Sequence, residues 1–412
     1  MSATSAWFYF LLMCPFIAEA WVLSGILPFH RIQGTKELSL ARVVPLDGLR
    51  GILALSVFFL HVTEFRIYET TGKWLPPVSN FYRQLGVMPV CMFFFITGYV
   101  FWLKLTRSTH IPLGQFIYAR WARLSGVYFL ACLLCFGLVA VESGFHSNIS
   151  PAKLTFQVLA WLSFFGSGHD MNQIAGSRLW LGPAWTLRFE WMFYLSLPFL
   201  GWFAARKRRL PILLGVAAGL GFLLYHLPAG GAVKKAITDQ FAPYMDFVAY
   251  TFSVGIVTAV LKIGPKLKSW MQGNVGTAIS FALIAVTLFF AKPEFGWAES
   301  LLLAVPFVCV CSGNTWLGLL TSSPIRFLGR ISYSFYLLHV VLMTAEIAMV
   351  KQFLNLALLS PSQYWLLAGV SGAIAIFIAA ISYQYLEYPF LHVGVKASAT
   401  SIPQRQLAES AA

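Results

Sequence analysis

The sequence has few charged residues and lacks the long polar stretches that cover a water-soluble domain. Charged side chains make up 11% of its 412 residues, and only 15 residues are acidic. Hydrophobic residues make up 58%, and they occur in long blocks rather than alternating with polar residues. The composition therefore excludes an ordinary soluble domain and predicts a protein that is embedded in a lipid bilayer.

Cysteine is scarce as well, because only six occur and all of them lie within apolar runs. Cys132 and Cys135 have a spacing found in metal sites, but no partner ligands lie near them in the sequence, so no metal site is predicted. The chain also lacks a long soluble stretch, an internal repeat, a low-complexity tract and a charged tail. Nothing therefore marks a second domain.

The apolar runs predict about 10 to 11 transmembrane helices in a single bundle, and hence an all-α integral membrane protein. A further run, 152–165, is too short for a confident span, so we expect it to lie at the membrane interface or to dip into it. The predicted spans are 7–27, 46–63, 86–103, 118–141, 180–204, 210–227, 244–261, 278–291, 298–320, 331–350 and 364–386.

The lysines and arginines predict how the bundle is oriented. If the span at 46–63 enters from the cytoplasm, the cytoplasmic loops hold about twice as many basic residues as the outer loops. The basic loop at 206–209 and the C-terminus are then expected to lie in the cytoplasm, as in a multi-pass protein of a plasma membrane. This bias also explains the net charge of +14 without a nucleic-acid partner.

The same pattern divides the chain into three parts. These are an N-terminal helix and cytoplasmic loop (1–45), a transmembrane domain (46–392) and a cytoplasmic tail (393–412). We expect the first apolar run to be retained, because no positive charge precedes it as in a secretory signal peptide, although a removable signal stays an alternative.

The stretch "LDGLRGILALSVFFLH" places three ionisable residues in one predicted span: Asp47, Arg50 and His61. Arg50 and His61 are eleven positions apart, so they lie on one helix face about 16 Å apart along the axis, and Asp47 shares that face. Ionisable residues inside a membrane usually face the protein interior and mark a pathway or a reacting site. The alternative is that Arg50 anchors the helix at the interface and His61 is a packing residue.

The stretch "WTLRFEWMFYL" places a carboxylate, Glu190, in another span. Glu190 lies about 10 Å inside the predicted outer surface, at a depth similar to that of His61. We therefore expect the two side chains to meet across helices. A structural partner for Glu190, such as a hydroxyl or a tryptophan N–H, is the alternative.

Five stretches occur in one order along the chain: "LDGLRG" with its histidine eleven residues after the arginine, "FFFITGYV", "WTLRFEWMFY", "ISYSFYLLH" and "YLEYPF". Together they resemble family 3 of the membrane acyltransferases, the multi-pass enzymes that O-acylate surface glycans and other exported molecules. The sequence departs from the family at three positions: Thr97 stands where serine is usual, and Ala119 and Gly126 stand where the family tends to have a basic residue and proline.

The resemblance implies acyl transfer from a cytoplasmic acyl-CoA, usually acetyl-CoA, to a hydroxyl of a polysaccharide, glycolipid or other acceptor outside. Arg50, Arg120 and Arg123 can supply the positive charge that the phosphates of the donor require, although simple topology would also place Arg120 and Arg123 there. His61 suits the general base, and Glu190 would orient its imidazole or contact the acceptor. Direct transfer is favoured, and an acyl-histidine intermediate is left open.

Two further residues are expected to support the site. His339, near the membrane midplane, would line the acyl channel or brace other polar groups. Glu387, just before Pro389 at the end of the last span, would pair with a cytoplasmic arginine. A homo-oligomer is left open.

Two functions of other classes compete with acyl transfer. In a transporter or glycan flippase the same groups would relay ions or substrate, but the sequence shows no inverted repeat and no matching pair of broken spans. A noncatalytic sensor would leave the shared face of Arg50 and His61 unexplained.

Overall fold

The computed structural model describes residues 6–26, 43–107, 113–164, 169–204 and 242–391. Its regular structure in these ranges is helical, without a strand, which confirms the predicted all-α class. The helices are α1 Trp7–Ile26, α2 Val44–Thr71, α3 Asn80–Arg107, α4 Leu113–Glu142, α5 Pro151–Leu162, α6 Trp185–Ala204, α7 Ala242–Val260, α8 Pro265–Gln272, α9 Asn274–Phe289, α10 Trp297–Cys311, α11 Ser323–Val350, α12 Pro361–Ser382 and α13 Tyr388–Leu391.

Ten of the eleven predicted spans coincide with one of these helices. Six helices (α1, α2, α3, α4, α11 and the α12 segment) are long and apolar enough to cross a membrane, and α8 with α9 qualifies as one span bent by 62°. The predicted span 210–227, the basic loop 206–209 and the tail 393–412 lie outside the described residues.

The two helices at the centre of the bundle, α2 and α11, run in the same direction. A Cβ atom added to Gly329 of α11 would lie 1.7 Å from the Asp47 carbonyl oxygen of α2, so the two backbones touch where glycine leaves room. Gly51 also lies against Gly329, and His61 lies beside His339 further along. Residues that begin α2 and α11 therefore share one end of the bundle.

Helix α2 begins and ends at recognisable signals. Pro45 lies in its first turn, where the missing N–H costs nothing, and Gly72 ends it in the left-handed conformation with φ 69°. At 28 residues the helix is about 42 Å long, which exceeds the hydrocarbon thickness of a bilayer. It can therefore carry one functional group near each membrane face.

The short helix α5, which covers most of the run 152–165, contacts the bundle mainly at its C-terminal end, where Trp161 is buried. The Ser150 side chain accepts a hydrogen bond from the backbone N–H of Lys153 and so caps the helix. At its far end the Tyr128 hydroxyl donates to the Trp161 carbonyl oxygen at 2.5 Å, and the Phe164 and Tyr128 rings stack at 4.3 Å. Tyr128 is near the middle of α4, so α5 ends deep in the bundle rather than crossing it.

Helix α1 packs on the outside of the bundle, against α11 and α12. The Phe16 ring occupies the space that a side chain at Gly372 would need, and the Tyr9 hydroxyl lies 3.4 Å from the Ser56 hydroxyl of α2. Helix α1 thus also contacts α2, whereas Arg50 of α2 faces a cavity lined by residues of α3, α4, α6 and α11.

Candidate active site

Helices α2, α3, α4, α6 and α11 surround one cavity of about 920 Å³, counted to its open mouth. Its walls are mainly apolar and aromatic, with a few convergent charged groups, as in many ligand sites. The residues that line it include Arg50, Phe93, Thr97, Phe101, Arg120, Arg123, Thr186, Glu190, Tyr194, Ser332, Tyr333 and Tyr336. We call the part around Arg50, Arg120 and Arg123 the basic end.

The structure brings together the three arginines that the sequence singled out. All three line the cavity, and the Nε–H of each is buried without a hydrogen-bond acceptor. The Arg120 guanidinium lies over the Phe101 ring at 5.2 Å from its centroid, which holds it by a cation–π contact. Across the described part of the chain, Arg50 and Arg120 form no ion pair with a carboxylate, so their charge is available to an anion that enters the cavity.

Arg123 differs from the other two because a buried carboxylate pairs with it. The Glu387 side chain is 1% exposed, lies 3.5 Å from Arg123 Nη2 and accepts a hydrogen bond from the Ser334 hydroxyl at 3.2 Å. Residues Tyr383–Glu387 form a π-helical turn, whose extra residue changes the direction of the side chains. The predicted pairing of Glu387 with an arginine is therefore present.

Glu190 lies in the cavity together with the arginines. One of its oxygens accepts hydrogen bonds from the Tyr194 hydroxyl at 2.6 Å and from the Thr97 hydroxyl at 3.4 Å. Tyr194 is one turn from Glu190 on α6, and Thr97 projects from α3, so two helices fix the carboxylate. The hydroxyl partner that the sequence left as the alternative is the one that the structure shows.

A second polar cluster, which we call the histidine end, lies further along α2 and α11. The His61 Nδ1 atom is 2.8 Å from Glu64 Oε2, and both side chains are 15% exposed. His339 is fully buried, and its Nδ1–H donates to the Phe335 carbonyl oxygen at 3.0 Å. The centroids of the two imidazole rings are 5.2 Å apart.

The predicted contact between His61 and Glu190 is wrong. Depth along two helices suggested it, but Glu64 lies three residues after His61 and reaches the imidazole from the same helix. Glu190 makes its hydrogen bonds with Tyr194 and Thr97 instead. The stretch "HVTE" (61–64) could have predicted the contact between His61 and Glu64, because residues three apart on a helix are neighbours.

Tyr336 connects the two ends of the site. Its side chain lines the cavity, and its ring centroid is 6.4 Å from that of His339. Its hydroxyl lies 3.3 Å from the Thr186 hydroxyl. Thr186 donates to the Pro183 carbonyl oxygen at 3.2 Å, so Tyr336 is the donor of the pair. Tyr336 was visible in the sequence only as part of the stretch "ISYSFYLLH".

Asp47 lies outside the cavity, as do His61, His339 and Glu387. It is half-buried in the first turn of α2 and is not among the residues that line the cavity. An acidic side chain at this position favours the helix N-terminus electrostatically. Within the residues that the structure describes, no three His, Cys, Asp or Glu side chains are grouped so that they could hold a metal ion.

Comparison with known proteins identifies a match that covers most of the chain. A family model described as an acyltransferase domain matches residues 44–384. "Putative O-acetyltransferase SACOL0978" of Staphylococcus aureus (strain COL) is 23% identical over 399 residues, which cover 89% of this chain and 60% of that protein. The chain thus spans less than two thirds of the length of this relative.

Two rhizobial proteins are also similar. "Exopolysaccharide production protein ExoZ" of Rhizobium meliloti (strain 1021) is 29% identical over 333 residues, which cover 75% of this chain and 91% of that protein. "Protein 2 in picA locus" of Rhizobium radiobacter is 29% identical over 155 residues, which cover 35% of this chain and 75% of that protein. No solved structure matches the chain.

Proposed function

We propose an acyl donor, a direction of transfer and an acyl acceptor for this chain. The chain belongs to the acyltransferase family whose domain matches residues 44–384, and it is an O-acyltransferase. The chain would transfer an acetyl group from acetyl-CoA in the cytoplasm to a hydroxyl of an exported glycan on the other side of a bacterial inner membrane. The observation that carries this proposal is one cavity that holds three arginines and is lined by Tyr336, whose ring lies beside His339, the neighbour of His61.

The basic end fits a phosphate-bearing donor. Arg50 and Arg120 lack an ion-pair partner in the described chain, and a guanidinium binds phosphate oxygens through charge-assisted hydrogen bonds. The eleven positions from Arg50 to His61 correspond to about 16 Å along α2, comparable to the reach of an extended pantetheine arm. Phosphates held at the basic end would thus place the thioester near Tyr336.

Glu190 would contact the acyl donor; it would not contact His61. Its carboxylate lies in the cavity and receives hydrogen bonds from Tyr194 and Thr97. A carboxylate oxygen there can also accept a hydrogen bond from an amide N–H of the pantetheine arm. Glu190 then positions the donor between the basic end and the histidine end.

His61 would be the general base. Its Nε2 removes the proton from the acceptor hydroxyl while the hydroxyl oxygen attacks the thioester carbonyl carbon. A carbon–oxygen bond forms, the carbon–sulfur bond breaks, and the thiolate of CoA takes the proton from the imidazolium. Tyr336 contacts Thr186, lines the cavity and lies beside His339, so in this mechanism its side chain would turn aside when the thioester arrives.

Two relatives support the acceptor class by their names. One is named as an O-acetyltransferase and the other as an exopolysaccharide production protein. The first name agrees with a hydroxyl as the acceptor group, and the second agrees with a carbohydrate as the molecule that carries it. The 15% exposure of His61 and Glu64 would give that hydroxyl access from the histidine end.

The test is acyl transfer by the purified protein in sealed vesicles of known orientation. Labelled acetyl-CoA is supplied on the side of the membrane nearer the basic end of the cavity. It should label a glycan that is accessible only on the opposite side, and His61→Ala should abolish this labelling. His146→Ala, in the exposed loop after α4, is the matched control and should transfer normally. Transport of unmodified glycan without acetylation would overturn the proposal.

The predicted orientation has its own measurement. A single cysteine placed in the basic loop 206–209 should react with a membrane-impermeant thiol reagent only after cells are opened, because the charge bias places this loop in the cytoplasm. Labelling of that cysteine in intact cells would reverse the direction proposed for the donor.

A further inference from the structure

The local geometry of His61 and Glu64 specifies which imidazole nitrogen is free. Glu64 Oε2 lies 2.8 Å from His61 Nδ1, and a carboxylate can only accept a hydrogen bond there. The hydrogen of a neutral His61 is therefore on Nδ1, and the lone pair is on Nε2. A general base needs its lone pair on the nitrogen that faces the substrate.

The neighbouring helix supplies no competing acid or cation. The group that faces His61 from α11 is His339, whose own Nδ1–H is held by the Phe335 carbonyl oxygen. His339 Nε2 is buried and has no hydrogen-bond donor. Among the described residues, Glu64 is therefore the one carboxylate in contact with His61, and it would stabilise the imidazolium that forms when His61 takes a proton.

From this geometry we infer that Glu64 is the positioning residue for His61: it fixes the tautomer of the imidazole and stabilises its charged form. The inference rests on the proposed function, in which His61 is the base. It assigns to Glu64 the task that depth alone suggested for Glu190. A carboxylate that orients a catalytic histidine in this way is itself not consumed in the reaction.

Helix α2 offers a matched control for this assignment. Glu69 lies five residues after Glu64 and forms an ion pair of 2.8 Å with Lys351, at the end of α11. Glu64 contacts His61 within α2, whereas Glu69 links α2 to the end of α11 and contacts no histidine in the described structure. A loss caused merely by removing a carboxylate charge from this end of α2 would appear in both variants, whereas loss of imidazole positioning would appear only at Glu64.

The experiment compares Glu64→Gln and Glu69→Gln in steady-state acetyl transfer from acetyl-CoA. Glu64→Gln keeps the size of the side chain but removes its charge, so turnover should fall about 10²-fold, at the lower end of the contribution of general-base catalysis. The KM for acetyl-CoA should stay within about threefold, because the phosphates bind at the basic end. Glu69→Gln should retain turnover within about twofold.

A double variant separates positioning from a structural role. In a His61→Ala background, Glu64→Gln should cost no further activity, because residues that act as one unit are non-additive. An equal 10²-fold loss in that background would overturn the inference, and so would normal turnover of Glu64→Gln. If Glu64→Gln does not fold, Glu64→Asp keeps the charge and should retain more activity than Glu64→Ala; equal activity of those two would also overturn it.

Failure of the proposed function looks different. Wild-type protein that transfers no acetyl group from acetyl-CoA to any glycan would refute the proposed reaction, and this inference would fall with it. Wild-type protein that transfers acetyl groups, together with fully active Glu64→Gln, would refute the role of Glu64 alone.

Discussion

The basic end and the histidine end of the site satisfy their polar groups in opposite ways. At the basic end three arginines share one cavity, and among the described residues only Arg123 is paired with a carboxylate, that of Glu387. At the histidine end each imidazole has its Nδ1 held by a neighbour on its own helix, Glu64 for His61 and the Phe335 carbonyl for His339. One end is thus left with unmet charge, and the other is internally organised.

This difference indicates how the work is divided. Unmet positive charge favours an anion from outside the protein, whereas an oriented imidazole with a bare Nε2 favours proton transfer. The two clusters lie about 16 Å apart along α2, and Tyr336 both lines the cavity of the basic end and lies beside His339. Substitutions at the basic end should therefore change donor binding, and substitutions at the histidine end should change turnover.

The largest effect is expected at His61. His61→Ala should lower turnover by about 10²- to 10⁴-fold and leave binding of acetyl-CoA unchanged, because the proposed mechanism places the phosphates at the basic end. His61→Gln should fail similarly, since an amide forms hydrogen bonds but cannot take the proton. Turnover is measured by transfer of labelled acetate and binding by isothermal titration. Near-normal transfer by a well-folded His61→Ala protein would show that His61 is not the general base.

The next effect is expected at Arg50 and Arg120. Replacement of either by Ala should weaken acetyl-CoA binding by roughly 1.5 to 3 kcal/mol, the value of a hydrogen bond to a charged group, and hence raise its Kd about 10- to 150-fold. Turnover at saturating donor should change much less. Arg326→Ala is the control. Arg326 lies near the start of α11, at the end of the bundle where α2 also begins, but it does not line the cavity. Unchanged donor affinity in both cavity variants would reduce these arginines to helix anchors.

A smaller effect on donor binding is expected at Arg123, because Glu387 already neutralises its charge. Arg123→Gln should raise the Kd for acetyl-CoA less than tenfold, yet it should lower the Tm of the protein, since it leaves Glu387 buried without its partner. Thermal unfolding in detergent, monitored with and without donor, measures both. If Arg123→Gln weakens donor binding as much as Arg50→Ala, then Glu387 does not set the three arginines apart.

The sequence predicted the architecture better than the pairing of side chains. Apolar runs locate helices because the bilayer requires about 20 apolar residues per span, and ten of eleven predicted spans have a helix in the described chain. The shared face of Arg50 and His61 followed from helical periodicity. Pairing across helices failed for Glu190, because depth alone does not fix rotation about the helix axis.

Other features depended on geometry that periodicity cannot supply. The π-helical turn that directs Glu387 toward Arg123 adds a residue that a regular 3.6-residue repeat does not anticipate. Tyr336 gains its position between cavity and histidines from the packing of α11 against α6, through its contact with Thr186. Glu64 was within reach of sequence reasoning, because residues three apart on a helix are neighbours, but it lies just beyond the predicted span 46–63.

The smallest effect is expected at Glu190, and it bears most directly on the separation of the two clusters. Glu190→Gln keeps an oxygen that can accept the hydrogen bonds from Tyr194 and Thr97, so acetyl-CoA binding and turnover should each change less than about fivefold. Since Glu190 does not touch His61, the losses of Glu190→Gln and His61→Ala should multiply in the double variant, whereas those of Glu64→Gln and His61→Ala should not. Residual transfer of labelled acetate by the four single and double variants makes this comparison. A double variant of Glu190 and His61 no worse than His61→Ala alone would show that the carboxylate in the cavity and the imidazole act as one unit, and that Tyr336 couples the two ends rather than separating them.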